Sequence, residues 1–139
     1  MSISTQTVTG LHFTYMLSTA DLPPFEEVVW EERQALIQDG KGNTVFQQQG
    51  VEVPAHWSQT ATNIVASKYL HGTLGTKDRE SGVRALIGRV VSTITEWGAH
   101  DGYFRTAEDT TAFEYELTAL QVGQYAAFNS PVWFNVGCD

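Results

Sequence analysis

At 139 residues the chain has room for one domain, and 42% hydrophobic with 12% aromatic residues is enough to build a core. Sixteen acidic against eight basic residues give a formal charge of −8, which argues against a surface that binds long DNA or RNA by neutralising phosphates, although a small nucleotide needs only one Lys or a helix N-terminus. No apolar run approaches a membrane span, Met1 to Gln6 lacks the basic and apolar stretches of a signal peptide, the single cysteine makes no internal disulfide and the four histidines lack metal-ligand spacing, so a cytoplasmic protein with no metal site of its own is expected.

Residues 1–24 are rich in Ser and Thr and end in Asp21-Leu22-Pro23-Pro24, where two prolines bar a helix, so this region reads as an extended or disordered arm. Residues 25–128 read as a hairpin plus helical domain. Glu27 to Gln38 and Thr44 to Gln49 flank Asp39-Gly40-Lys41-Gly42-Asn43, whose two glycines supply the positive backbone angles of a five-residue hairpin loop; Glu31 to Leu36 would also suit a helix. Pro54 ends the extended region. Ser58 caps a helix running to about Leu70, with Ile64, Val65 and Tyr69 among its buried positions. The second helix is the clearest: Asp78 as its cap, then Val83, Leu86, Ile87, Val90, Val91, Ile94 and Trp97 as one apolar stripe, and Gly98 as its stop. Thr106 caps a third helix with Phe113, Leu117 and Leu120 on its inner face. The reading is a mainly α fold with a small antiparallel β-hairpin.

Asn129-Ser130-Pro131-Val132-Trp133-Phe134-Asn135-Val136-Gly137 is too apolar for a loose tail. Its Val, Trp and Phe residues favour a buried strand, Pro131 stands where its missing N–H costs little, and Gly137 closes the run. A strand this apolar needs neighbours on both faces, so the chain is expected to be one piece of a larger body.

The same segment resembles the entry strand of the large chain of ribonucleotide reductases, in the form found in adenosylcobalamin-dependent (class II) members. Val51-Glu52-Val53-Pro54-Ala55-His56-Trp57-Ser58-Gln59, Asn63-Ile64-Val65-Ala66-Ser67-Lys68-Tyr69, and the run from Arg79-Glu80-Ser81-Gly82-Val83-Arg84 through Leu86-Ile87-Gly88-Arg89-Val90 to Trp97-Gly98 and Gly102-Tyr103-Phe104 agree in order and spacing. The resemblance covers about Val28 to Gly137. It implies the N-terminal portion of the ten-stranded α/β barrel reductase fold, with residues 129–139 as the first barrel strand and the rest of the barrel absent.

By that resemblance Ser130, with Pro131, lies at the barrel mouth and hydrogen-bonds the substrate nucleotide near its phosphate end; from the residues alone it is a turn residue leading into a strand. Asn129 ranks second, because an amide pinning the turn is the plainer role. Val132 and Trp133 stand where many relatives of the wider superfamily have Thr and Leu, so contacts made by that Thr are not carried over. The family's redox cysteines lie further downstream, which leaves Cys138 a bystander thiol. His56 and Trp57 read as packing beside a helix cap, Glu26, Glu27, Glu31 and Glu32 as a solvated acidic face, and Gly72 to Lys77 as a connector lacking the full phosphate-loop pattern.

The resemblance further implies conversion of ribonucleotides to 2′-deoxyribonucleotides through a thiyl radical generated with adenosylcobalamin. None of the cysteines or the active-site loop that perform this is in the chain, so no catalytic residue is assigned and the chain alone should be inactive. The first expectation is an N-terminal portion or split subunit, separately encoded or cut short, that joins a complementary chain carrying the rest of the barrel, in an oligomer that acts on a nucleotide and binds neither nucleic-acid polymer nor membrane. The alternative is a non-catalytic regulatory or assembly module derived from the reductase; a truncation with no independent role is the third.

Overall fold

A two-stranded antiparallel hairpin, β1 (Trp30–Gln38) and β2 (Thr44–Pro54), forms around the Asp39 to Asn43 loop in the computed structural model, which describes residues 9–138. Residues 1–8 of the expected arm and Asp139 of the expected last strand lie outside the described residues. Asp39 organises the turn: its Oδ1 accepts from the amides of Lys41 at 2.8 Å and Asn43 at 2.9 Å. The positive angle expected of both loop glycines belongs to Gly42 alone, at φ +82°. The second strand also runs five residues past Gln49. Gly50, at φ +62°, takes up an extra residue between the Arg33–Val51 and Ala35–Gln48 pairs, so the ladder bulges instead of ending.

Helix α1 (Gln59–Lys68) starts where Ser58 accepts the Ala61 amide, as its sequence position predicts. Its inner face is small: Thr62 and Ala66 are fully buried, whereas Ile64 is 44% exposed and Val65 and Tyr69 are half-buried. Against that face lies Arg33, whose guanidinium reaches from β1 to the Trp57 and Ala55 carbonyls and the Thr62 hydroxyl.

Helix α2 (Val83–His100) buries Val83, Leu86, Ile87, Val90 and Val91 in the main core, with Ile94 half-buried and Trp97 54% exposed. Its start is set by Gly82, not by Asp78. Gly82 bridges to Glu52 of β2, and a Cβ there would come within 2.2 Å of the Glu52 carbonyl oxygen. Gly98 does not stop the helix either; the Phe104 ring lies where its Cβ would be, 2.8 Å away, so the glycine serves a close approach. Helix α3 (Ala107–Val122) begins at Thr106, whose Oγ1 accepts the Asp109 amide, and packs on α2. Its buried residues are Asp109, Ala112, Thr118, Gln121 and Val122, while Phe113, Leu117 and Leu120 are only half-buried.

Residues 9–24 lie against α3. Leu11 bridges to Phe104, the Phe13 ring meets Phe104 and Phe113 edge-on, and the amides of Met16, Leu17 and Ser18 all donate to the Glu116 carboxylate. Local sequence carried no sign of this, because each partner is about 100 residues away.

The largest departure from the sequence reading is at the C-terminal end, where the expected barrel strand is a short helix, α4 (Ser130–Asn135). The Asn129 carbonyl accepts the Val132 and Trp133 amides, and Pro131 occupies the first turn, where a missing N–H is harmless. Among the described residues no strand lies alongside to complete a ladder. A helix satisfies its own backbone and needs to bury only one face, here through Trp133, which is 8% exposed. Helices and one antiparallel hairpin are thus what the described residues form, in line with the mainly α reading.

Candidate functional site

The three residues predicted to meet substrate all stand at the start of α4. Ser130 is half-buried, and its Oγ lies 3.0 Å from the Tyr69 hydroxyl at the end of α1. Asn129 is exposed and caps α4 through its carbonyl, its side chain making no capping bond. Pro131 is exposed, and its carbonyl accepts the Asn135 side-chain amide at 2.8 Å. The Tyr69 ring also stacks on Phe134 with centroids 5.5 Å apart, so Tyr69 fixes both turns of the short helix.

Two residues that sequence reasoning missed hold the other end. Arg89 of α2 donates to the Val136 carbonyl at 2.6 Å and the Trp133 carbonyl at 3.0 Å, satisfying carbonyls that α4 leaves without intrahelical partners. Glu80 holds that guanidinium in place at 3.1 Å, both side chains being 11% exposed, and its Oε1 also accepts the His71 amide. Such a nearly buried, multiply bonded pair is costly to break from one side only. Arg89 stands on α2 beside the apolar stripe, where a lone arginine reads as a solvated residue; no local signal marks it as a cap for a helix about 40 residues on.

Beside α4 runs an apolar groove of about 500 Å³ between α1, α2 and the segment after α3. Trp57, Val65, Ile87, Phe128 and Trp133 line it, and Gln121 adds an amide. Cys138 stands apart from it, its thiol directed at the Phe134 carbonyl at 3.3 Å. His56 and Trp57 both direct a ring nitrogen at the Val122 carbonyl, at 3.2 and 2.8 Å; Trp57 is buried in the core as expected, whereas His56 is exposed. Among the described residues no three His, Cys, Asp or Glu side chains are grouped to hold a metal ion, and no helix is long and apolar enough to cross a membrane.

Two carboxylates of α3 meet the docked arm. Asp109 is held below the ordinary carboxylate range, chiefly by the Phe13 amide and, against the opposing pull of burial, by the Thr106 hydroxyl and His12. For Glu116 burial alone would raise the pKa, but the Ser18 hydroxyl and the amides of Leu17, Met16 and Ser18 together bring it below the usual value. These carboxylates fasten the arm.

A family model described as "Class II vitamin B12-dependent ribonucleotide reductase" matches residues 31–77 and 70–124, the span that builds the hairpin, α1, α2, α3 and the Glu80–Arg89 pair. The chain belongs to the class II vitamin B12-dependent ribonucleotide reductase family. Among its relatives, the vitamin B12-dependent ribonucleotide reductase of Rhodopirellula baltica is 54% identical over 115 residues, covering 82% of this chain and 11% of that protein. Its counterparts in Streptomyces clavuligerus and Streptomyces coelicolor are each 42% identical, over 96% and 92% of this chain and 14% and 13% of theirs. The chain therefore spans between 11% and 14% of the length of these class II reductases.

Proposed function

We propose that the chain serves as the N-terminal portion of a class II ribonucleotide reductase, giving structure and part of the substrate site to a complementary polypeptide that carries the ten-stranded barrel, the radical chemistry and the reducing cysteines. The observation behind this reading is the pairing of 54% identity across 82% of the chain with coverage of only 11% of the relative. The reaction reduces a ribonucleotide to a 2′-deoxyribonucleotide in the cytoplasm, within an oligomer.

Adenosylcobalamin is the cofactor of the completed enzyme in this proposal, and the residues of this chain do not fit it. The apolar groove offers one buried amide and no charged group, and the lone thiol of Cys138 is engaged with a backbone carbonyl. What this chain contributes is position: Arg89 and Tyr69 fix α4, and α4 presents Ser130, whose hydroxyl exchanges Tyr69 for a substrate oxygen or bridges the two.

The test is reconstitution. Purified chain is mixed with the complementary portion of a class II reductase, nucleotide, adenosylcobalamin and a dithiol, and deoxynucleotide formation is measured. Turnover that requires both chains supports the proposal. Ser130→Ala should then weaken substrate binding by about 0.5–3 kcal/mol with assembly intact, while Cys138→Ser leaves turnover nearly unchanged. Tight association without turnover would instead favour a regulatory or assembly module.

A further inference from the structure

Gln121 is 5% exposed, lines the apolar groove beside α4, and its Oε1 has no hydrogen-bond partner. A buried amide left unpaired is expensive, and the folded chain recovers nothing for it. Around it the groove carries no charged side chain at all, although the protein has a net charge of −8. Its rim exposes large apolar groups: Ile64 is 44% exposed and Tyr125 is 72% exposed.

We infer that this groove is the docking surface for an uncharged, apolar peptide segment of the complementary reductase polypeptide, with a backbone group of that segment pairing with the Gln121 amide. The inference rests on the proposed function and names the surface through which assembly occurs. Three observations select this occupant. The relatives carry more than six-sevenths of their length outside the region this chain matches, so a large body of polypeptide is available to cover the groove. A phosphorylated ligand is a poor match for walls without a cation, whereas apolar side chains recover the transfer free energy of the exposed Ile64 and Tyr125 surface. A peptide backbone N–H can donate to the unpaired Gln121 Oε1, which a purely apolar ligand would leave orphaned. The groove also borders α4 through Trp133 and includes Tyr69, the residue whose hydroxyl meets Ser130.

The experiment measures association of the intact chain with the complementary polypeptide by fluorescence of Trp57 and Trp133, which line the groove, and by calorimetry. Tyr125→Glu and Ile64→Glu should each raise Kd roughly tenfold or more, since each puts a charge into a desolvated patch. Val45→Glu, on the hairpin and 68% exposed, should leave Kd unchanged. Gln121→Met provides the discriminating result: with the orphaned amide gone, the isolated chain should melt at the same or a higher temperature, yet bind roughly three- to tenfold more weakly. Circular dichroism confirms that the exposed-site variants remain folded. Wild-type association with Kd unmoved in Tyr125→Glu and Gln121→Met would overturn the groove assignment and leave the proposed function standing; no association of the wild-type chain would overturn both. A wild-type chain that dimerises alone, and is made monomeric by Tyr125→Glu, would assign the groove to a second copy and overturn the inference.

Discussion

The hydroxyls of Tyr69 and Ser130 lie 3.0 Å apart, joining the C-terminal end of α1 to the first turn of α4 across 61 residues of sequence. This contact leaves Ser130 with a side chain oriented by a neighbour. If the bond orients it, Tyr69→Phe and Ser130→Ala should each destabilise the isolated chain by about 0.5–1.5 kcal/mol, and the double variant should cost no more than the larger single change. Chemical denaturation of the four proteins measures the coupling. Strict additivity would show the two hydroxyls to be independent.

Burial along α2 sets a second expectation. Ile87 is 1% exposed inside the core, so Ile87→Ala should cost about 2–5 kcal/mol, whereas Glu96→Ala on the solvent side should cost less than about 0.5 kcal/mol. Equal midpoints in urea for the two variants would contradict the packing described.

The approach of α2 to the hairpin rests on a missing side chain. At Gly82 a Cβ would stand 2.2 Å from the carbonyl oxygen and 2.6 Å from the nitrogen of Glu52, both backbone atoms that move only if β2 or α2 moves. Gly82→Ala should therefore destabilise by about 1–3 kcal/mol or more, as overpacking does. Gly40→Ala is the matched control, because nothing lies within 4 Å of its Cβ position. Differential scanning calorimetry should show a lowered Tm in the first variant and none in the second.

Acid should release the arm. Asp109 and Glu116 both have pKa values lowered by folding, so the stability they lend is complete above their ordinary values, about 4, and is lost as the pH falls through the lower folded values. Amide exchange at Met16, Leu17 and Ser18 should accelerate on going from pH 7 into that acid range before exchange at Val90 does, after correction for intrinsic rates. Glu116→Ala should show the fast exchange already at pH 7. Slow exchange of these three amides in that variant would mean that something other than the carboxylate holds them.

Local chemistry determined a good deal of this protein by itself. The three- and four-residue spacing of the α2 stripe from Val83 to Ile94, the Ser58 and Thr106 caps and the Asp39 to Asn43 loop each act within a few residues, and these formed where the sequence placed them, although Trp97 is exposed and the expected helix limits at Asp78 and Gly98 were not those observed. The family resemblance was legible for the same reason, being carried by contiguous stretches. What the tertiary structure alone decided depends on partners distant in sequence. The inner face of α1 is Thr62 and Ala66, with Arg33 of another element bonded to Thr62, and Ile64 lies on a different side of the helix. The arm lies on α3 because Glu116 collects three amides almost 100 residues away. Residues 130–135 read as a strand from their composition, since valine, tryptophan and phenylalanine suit a sheet. They form a helix because no strand stands beside them among the described residues, while Tyr69 and Arg89 supply partners for its two ends. A strand borrows its hydrogen bonds from neighbours and a helix makes its own, so for a short apolar segment the choice belongs to the surroundings.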